Sequence, residues 1–171
     1  TIVLPSISER SIIQGLSSDD YAEEFSGGIG EEGIENLKKF VENGGKLVCF
    51  DASCETVIKR FNLPMKNALD GLKRSEFYNP GSIVKIEIDK KNPLAKSIPE
   101  NLGAYFANSS AFEITDDAKV KAVAQYAVKS SLLSGWMLGE KYLNGKTALA
   151  ETDFGKGKII LFAFRPQHRG Q

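Results

Sequence analysis

Asn43-Gly44-Gly45-Lys46-Leu47-Val48-Cys49-Phe50-Asp51 is the stretch on which the reading of the fold turns. Ahead of it, Ile34, Leu37, Phe40 and Val41 share one helical face, opposite Glu35, Lys38, Lys39 and Glu42, which predicts a helix over 31–43. Asn43-Gly44-Gly45 supplies the left-handed residue that closes such a helix, and the run from Lys46 to Asp51 reads as a buried strand. A helix feeding a buried strand predicts a parallel sheet. Ser53 is the expected cap of a following helix, whose apolar face is Val57, Ile58 and Phe61 and which Asn62-Leu63-Pro64 ends.

Working outward, Ile2-Val3-Leu4 reads as a short buried strand broken by Pro5, and Ser8 caps a short helix carrying Ile12, Ile13 and Leu16. Ser17 to Gly30 is polar and glycine-rich, a loop. Beyond residue 75 strand signals dominate: Ile83 to Ile88, Tyr105-Phe106, Phe112 to Ile114 and Val120 to Val128. Asn144-Gly145 predicts a tight hairpin between 141–143 and 147–150, and Gly155-Lys156-Gly157 predicts another turn. Lys158 to Phe164 is almost wholly apolar, as in a strand covered on both faces, and Arg165-Pro166 stops it.

The length of 171 residues suits one domain, and 42% hydrophobic with 26% charged residues suits a packed core without metal or disulfide. The 22 basic and 22 acidic side chains cancel and are interspersed, so no field gathers phosphate backbones or anionic lipid. Neither nucleic acid nor membrane is an expected partner. Cys49 and Cys54, five apart across a strand end and a helix start, are expected as two free thiols. They leave the cellular compartment open.

Gly28-x-Gly30-x-x-Gly33 matches a dinucleotide fingerprint by letters, but no apolar strand precedes it. Glu31 and Glu32 would also stand where a pyrophosphate must sit. His168 is the only histidine, which removes the ligand pairs of a zinc hydrolase, so neither metal nor other cofactor is expected in this chain. The carboxyl end of a central parallel strand is where such folds carry chemistry, which makes Asp51, Ser53 and Cys54 candidate cleft residues. Arg165 and His168 join them if the last strand lies beside the Asp51 strand, and Trp136 is a further candidate for the same cleft. No catalytic residue is assigned, because Cys54 has no nearby general base and Glu55 opposes thiolate formation.

Several strings resemble one bacterial family: Ser26 to Gly33, Gly44-Gly45-Lys46-Leu47-Val48, Phe77-Tyr78-Asn79-Pro80-Gly81-Ser82, Asn92-Pro93-Leu94-Ala95, Leu133-Ser134-Gly135-Trp136 and Phe164-Arg165-Pro166-Gln167-His168-Arg169. Together they are similar to the class I glutamine amidotransferase-like domain at the C-terminus of zinc carboxypeptidase-like proteins. That resemblance implies a flavodoxin-like α/β fold, with a mainly parallel sheet flanked by helices and a strand-rich second half. It also implies an accessory role behind a carboxypeptidase A-like domain, which would hold the zinc, cleave C-terminal residues and be the partner on the same polypeptide. In active amidotransferases the strand after the Gly-Gly turn delivers a cysteine, and counting from Gly44 places that elbow near Ala52, which cannot attack. The resemblance further implies that residues 1–171 are an excerpt lacking its first strand-helix units and final helix, with an open sheet edge available for self-association. A cysteine- or serine-dependent hydrolase and a small-ligand binder are the rival readings.

Overall fold

The computed structural model describes residues 1–168. In chain order the elements are β1 (Ile2–Leu4), α1 (Glu9–Ile13), α2 (Gly30–Glu42), β2 (Lys46–Phe50), α3 (Ala52–Arg60), β3 (Met65–Asn67), β4 (Ser82–Ile88), β5 (Asn101–Phe106), β6 (Phe112–Ile114), β7 (Val120–Tyr126), β8 (Leu132–Gly135), β9 (Thr147–Phe154) and β10 (Gly157–Phe162). The chain is an α/β protein with a strand-rich second half. One sheet runs in the order β1, β2, β10, β9, β7, β4, β5; β8 pairs with β4, and β6 links β3 to β9.

The expectation of a mainly parallel, flavodoxin-like sheet is corrected. Only β1 with β2 and β2 with β10 are parallel, and the other pairings are antiparallel. The reason is in the connections. A parallel neighbour needs a crossover of about a dozen residues, usually a helix. After α3 the described chain forms no further α-helix, only turns and short 3-10 segments, so successive strands fold back on one another.

β10 is where the two halves meet. Ile159 and Leu161 are fully buried with Val41, Leu47, Cys49 and Val57 beneath the helices. Ile160 and Phe162 face the other way, packing against the cluster of Val84, Phe106, Val123, Tyr126 and Leu149. This explains why its sequence is apolar without alternation. α2 rests on the first cluster through Ile34, Leu37 and Val41, the face its periodicity marked, while Ser8 caps α1 by accepting from the Ser11 amide.

Two local expectations fail. Ser53 does not cap α3, because that helix already begins at Ala52. Asn144-Gly145 does not join two strands: Glu140–Tyr142 is a 3-10 turn, and Gly145 and Lys146 instead exchange backbone hydrogen bonds with Tyr126. The glycine-rich turn at 155–157 does link β9 to β10.

Glu140 pins the exit of the irregular 127–131 segment. Its Oε1 accepts from the Leu132 amide at 3.1 Å and the Ser131 hydroxyl at 3.0 Å. The Leu132 N–H holds the carboxyl below the usual glutamate range, assisted by Ser131 and opposed by partial burial. A folded pKa below the unfolded one contributes stability that is present above the unfolded value and lost as pH falls through the folded one. Glu140→Gln should therefore cost about 1 kcal/mol at neutral pH. The difference should shrink to nothing on acidification below the glutamate range, as read from urea midpoints at several pH values.

Candidate functional site

The parallel strands β1, β2 and β10 end on one side of the molecule, and the antiparallel registers bring the start of β9, the end of β7, the start of β4 and the end of β5 to the same side. At its centre the chain turns sharply from β2 into α3. Asp51 makes that turn with φ 51° and ψ −116°. A non-glycine residue in such a conformation stores on the order of 1–3 kcal/mol and persists only where its surroundings hold it. This is the strand-to-helix elbow, and it falls at Asp51, one residue ahead of the count that placed it at Ala52.

Three contacts hold the elbow. The Asp51 amide donates to the Phe162 carbonyl at 2.7 Å, tying it to the end of β10. Asp51 Oδ2 accepts from Ser6 Oγ at 2.7 Å and from Arg165 Nε at 2.8 Å. The carboxylate is only 4% exposed, whereas the Arg165 side chain is 41% exposed. Asp51 and Arg165 thus meet because β2 and β10 are parallel neighbours in register. Ser6, just past β1, was missed: it follows a proline in a loop, and no local pattern marks it.

The other expected cleft residues separate into different roles. Ser53 is fully buried; its single hydroxyl proton faces the Phe50 carbonyl at 2.9 Å and the Leu4 carbonyl at 3.2 Å, and its oxygen accepts from the Phe50 amide, stapling β1, β2 and α3 together. Cys54 is equally buried, and its single thiol proton has two carbonyl acceptors within reach, those of Phe162 at 3.2 Å and Cys49 at 3.3 Å. Burial pushes this thiol far above its ordinary range, and the nearby Cys49, Asp51 and Glu55 push in the same direction. Both cysteines are unpaired. His168 stacks on Tyr105 at the end of β5, with ring centroids 3.8 Å apart. Trp136 is exposed, its ring edge-on to Tyr78. No ring contact or hydrogen bond joins Trp136 to Arg165 or His168 among the described residues. Arg169 lies outside the described residues.

A polar network that the sequence did not advertise runs beside the elbow. Glu55, in the first turn of α3, accepts from Asn67 Nδ2 at 2.7 Å and Ser110 Oγ at 3.0 Å. The Ser110 amide donates to the Ala163 carbonyl, and the buried Tyr126 hydroxyl donates to the Ser110 carbonyl at 2.9 Å. Burial raises the Tyr126 hydroxyl well above its usual range, with Asp51 adding to the shift, so it remains a donor. Next to this network a shallow depression of about 290 Å³ is lined by Asn67, Asp70, Arg74, Tyr78, Asn79 and Asn108, among others. Asn79 Nδ2 is buried there without a hydrogen-bond partner among the described residues. Also among the described residues, no group of three His, Cys, Asp or Glu side chains is placed to hold a metal ion.

No family model and no curated protein matches the chain. Solved structures do. Cytoplasmic protein STM1381 from Salmonella typhimurium LT2 superposes with a TM-score of 0.58 at 15% identity, over 99% of this chain and 62% of that one. Cytoplasmic protein STM3548 from Salmonella typhimurium gives 0.57 at 16% identity, over 97% and 61%. The β-galactosidase from Bacillus circulans sp. alkalophilus gives 0.52 at 14% identity, over 80% of this chain and 18% of that one. The chain therefore spans about three fifths of the length of the two Salmonella proteins, and the likeness at such identities is one of fold.

Proposed function

We propose that this chain is a non-catalytic accessory domain of amidotransferase type, supporting or orienting the peptidase domain of a zinc carboxypeptidase-like protein. The observation that carries the non-catalytic reading is the elbow. An acyl-transferring nucleophile must stand exposed at a strained turn beside a base. Here the turn residue is Asp51, whose carboxylate is committed to the Ser6 hydroxyl and to Arg165, and the hydroxyl and thiol that follow it on α3, Ser53 and Cys54, are engaged with backbone carbonyls. Support for the metallopeptidase parent comes from the strings at 77–82 and 164–169. That the same fold takes up under a fifth of a β-galactosidase chain fits a domain used as one part of a larger polypeptide.

The test uses the full-length parent. It should contain zinc and release C-terminal residues from peptides, and Cys54→Ala and Asp51→Asn should leave kcat/KM within about twofold, since neither residue touches the substrate. Loss of glutamine or ester hydrolysis in Cys54→Ala, with folding intact, would establish the hydrolase reading instead. A parent without zinc or peptidase turnover would remove the metallopeptidase assignment.

One observation favours small-ligand binding as a second reading: the orphan Asn79 Nδ2 beside the depression at 67–79, since a buried donor without an acceptor calls for an occupant.

A further inference from the structure

We infer that the loop from Gln14 to Ile29 is a docking surface for a basic, apolar face of a different protein domain. The inference stands on this loop alone and is independent of the metallopeptidase assignment.

The loop is built, not slack. Its neck is closed by the Gly27 amide donating to the Leu16 carbonyl at 2.8 Å and the Ile29 amide donating to the Ile12 carbonyl at 2.9 Å. Gly15, at φ 70°, lies so close to the opposite strand of the neck that a Cβ would fall 1.7 Å from the Gly27 carbonyl oxygen. Inside, a turn at Ser17 and the 3-10 segment Glu23–Phe25 fix the backbone, with the Ser26 hydroxyl donating to the Glu23 carbonyl. Compact loops with closed ends are frequently functional.

Yet the loop buries nothing. No residue from 14 to 29 is buried, and none belongs to either core cluster. Its large apolar side chains face outward: Phe25 is 68% exposed, Tyr21 51%, Leu16 46% and Ile29 46%. An ordered backbone that holds aromatic and aliphatic side chains in water matches the composition of an interface core, in which aromatics are enriched.

Charge states what covers it. Between Gln14 and Glu32 there are six acidic residues and no lysine or arginine, in a chain whose total charge is zero. Glu31 is engaged by Arg60 at 3.0 Å, but Asp19, Asp20, Glu23 and Glu24 have no ion-pair partner among the described residues. Four uncompensated carboxylates around Tyr21 and Phe25 repel nucleic acid and anionic lipid and attract a lysine- or arginine-bearing protein face. The partner is therefore a protein surface with an apolar centre and a basic rim.

The experiment is photo-crosslinking in cells that make the natural full-length polypeptide, with benzoylphenylalanine at position 21 or 25 and, as control, at position 136. Crosslinked peptides are identified by mass spectrometry. Positions 21 and 25 should converge on one basic, apolar peptide outside this domain. The yield should fall about tenfold when Asp19, Asp20, Glu23 and Glu24 are all changed to lysine, a set of exposed positions that leaves the fold intact by circular dichroism. Crosslinks onto a second copy of this domain, scattered or absent crosslinks, or a yield indifferent to the four lysines each overturn the inference. A partner peptide outside any metallopeptidase domain sustains the docking surface equally, and the assignment of the parent is tested separately by its zinc content and peptidase turnover.

Discussion

Native protein at neutral pH should resist thiol labelling at both Cys49 and Cys54, with rates at least about a thousandfold below those of the urea-unfolded chain. Both side chains are fully buried, and burial pushes each thiol above its ordinary range. A thiol reacts as thiolate, so burial suppresses the reactive form and blocks the reagent at once. Labelling should then proceed only through opening of the β2–α3–β10 unit, whose free energy approaches that of global unfolding because Leu47, Val57 and Leu161 lie in the same cluster. The check is the rate of reaction with a chromogenic disulfide reagent across a urea series: labelling and unfolding should share one midpoint. Fast stoichiometric reaction of Cys54 in native buffer would instead indicate an accessible low-pKa thiol, and with it the hydrolase reading.

Local chemistry made the first half of the chain legible. The face of α2, the Gly44-Gly45 closure and the apolar run of β2 are signals of adjacent residues, and the structure follows them within a residue or two. Parallel or antiparallel pairing is a different kind of information, because it depends on what lies between the strands. Most strand signals after residue 75 were present, β8 at Leu132–Gly135 being unmarked and the arm at 141–143 being a 3-10 segment, yet those strands turn back on their neighbours because turns and 3-10 segments, not α-helices, connect them. Asn144-Gly145 illustrates the limit of a dipeptide signal. Gly145 does take a positive φ, but Tyr126, distant in sequence, captures the backbone groups around it.

At the site, the juxtaposition of Asp51 and Arg165 was legible because both end apolar strands, and parallel neighbours put like ends together. The elbow's position was not. A count from Gly44 fixes the strand start but not the residue at which the strand gives way to the helix, and Asp51 tolerates the positive φ that Ala52 would take less readily. Ser6, Ser110 and Tyr126 converge through tertiary contacts that no spacing encodes. Trp136 shares its end of the molecule with the pair, but its ring packs on Tyr78, not on the elbow.

Arg165→Ala should destabilise the protein by about 2–3 kcal/mol, less than the cost of stranding one member of a fully buried pair because the arginine itself is partly exposed. The Asp51 carboxylate, nearly sealed from water, would keep Ser6 as its remaining side-chain donor. The same substitution loosens the hold on a strained backbone, so two penalties arise at one residue. Asp51→Asn in the Arg165→Ala background should recover most of the loss, because it removes the stranded charge while keeping a side chain that tolerates positive φ. The double-mutant cycle should then give a coupling of about 1.5 kcal/mol or more, readable from urea denaturation with unchanged m-values. Asp51→Gly tests the strain separately: glycine takes φ 51° at little steric cost, so in the Arg165→Ala background it should recover at least as much as asparagine. If Arg165→Ala costs less than about 0.5 kcal/mol, the ion pair is incidental to the elbow and the barrier to nucleophile chemistry at Asp51 loses its physical basis. A large coupling instead makes Arg165 the residue that holds the strained Asp51 turn in place, a structural role for the only side-chain ion pair the Asp51 carboxylate makes among the described residues.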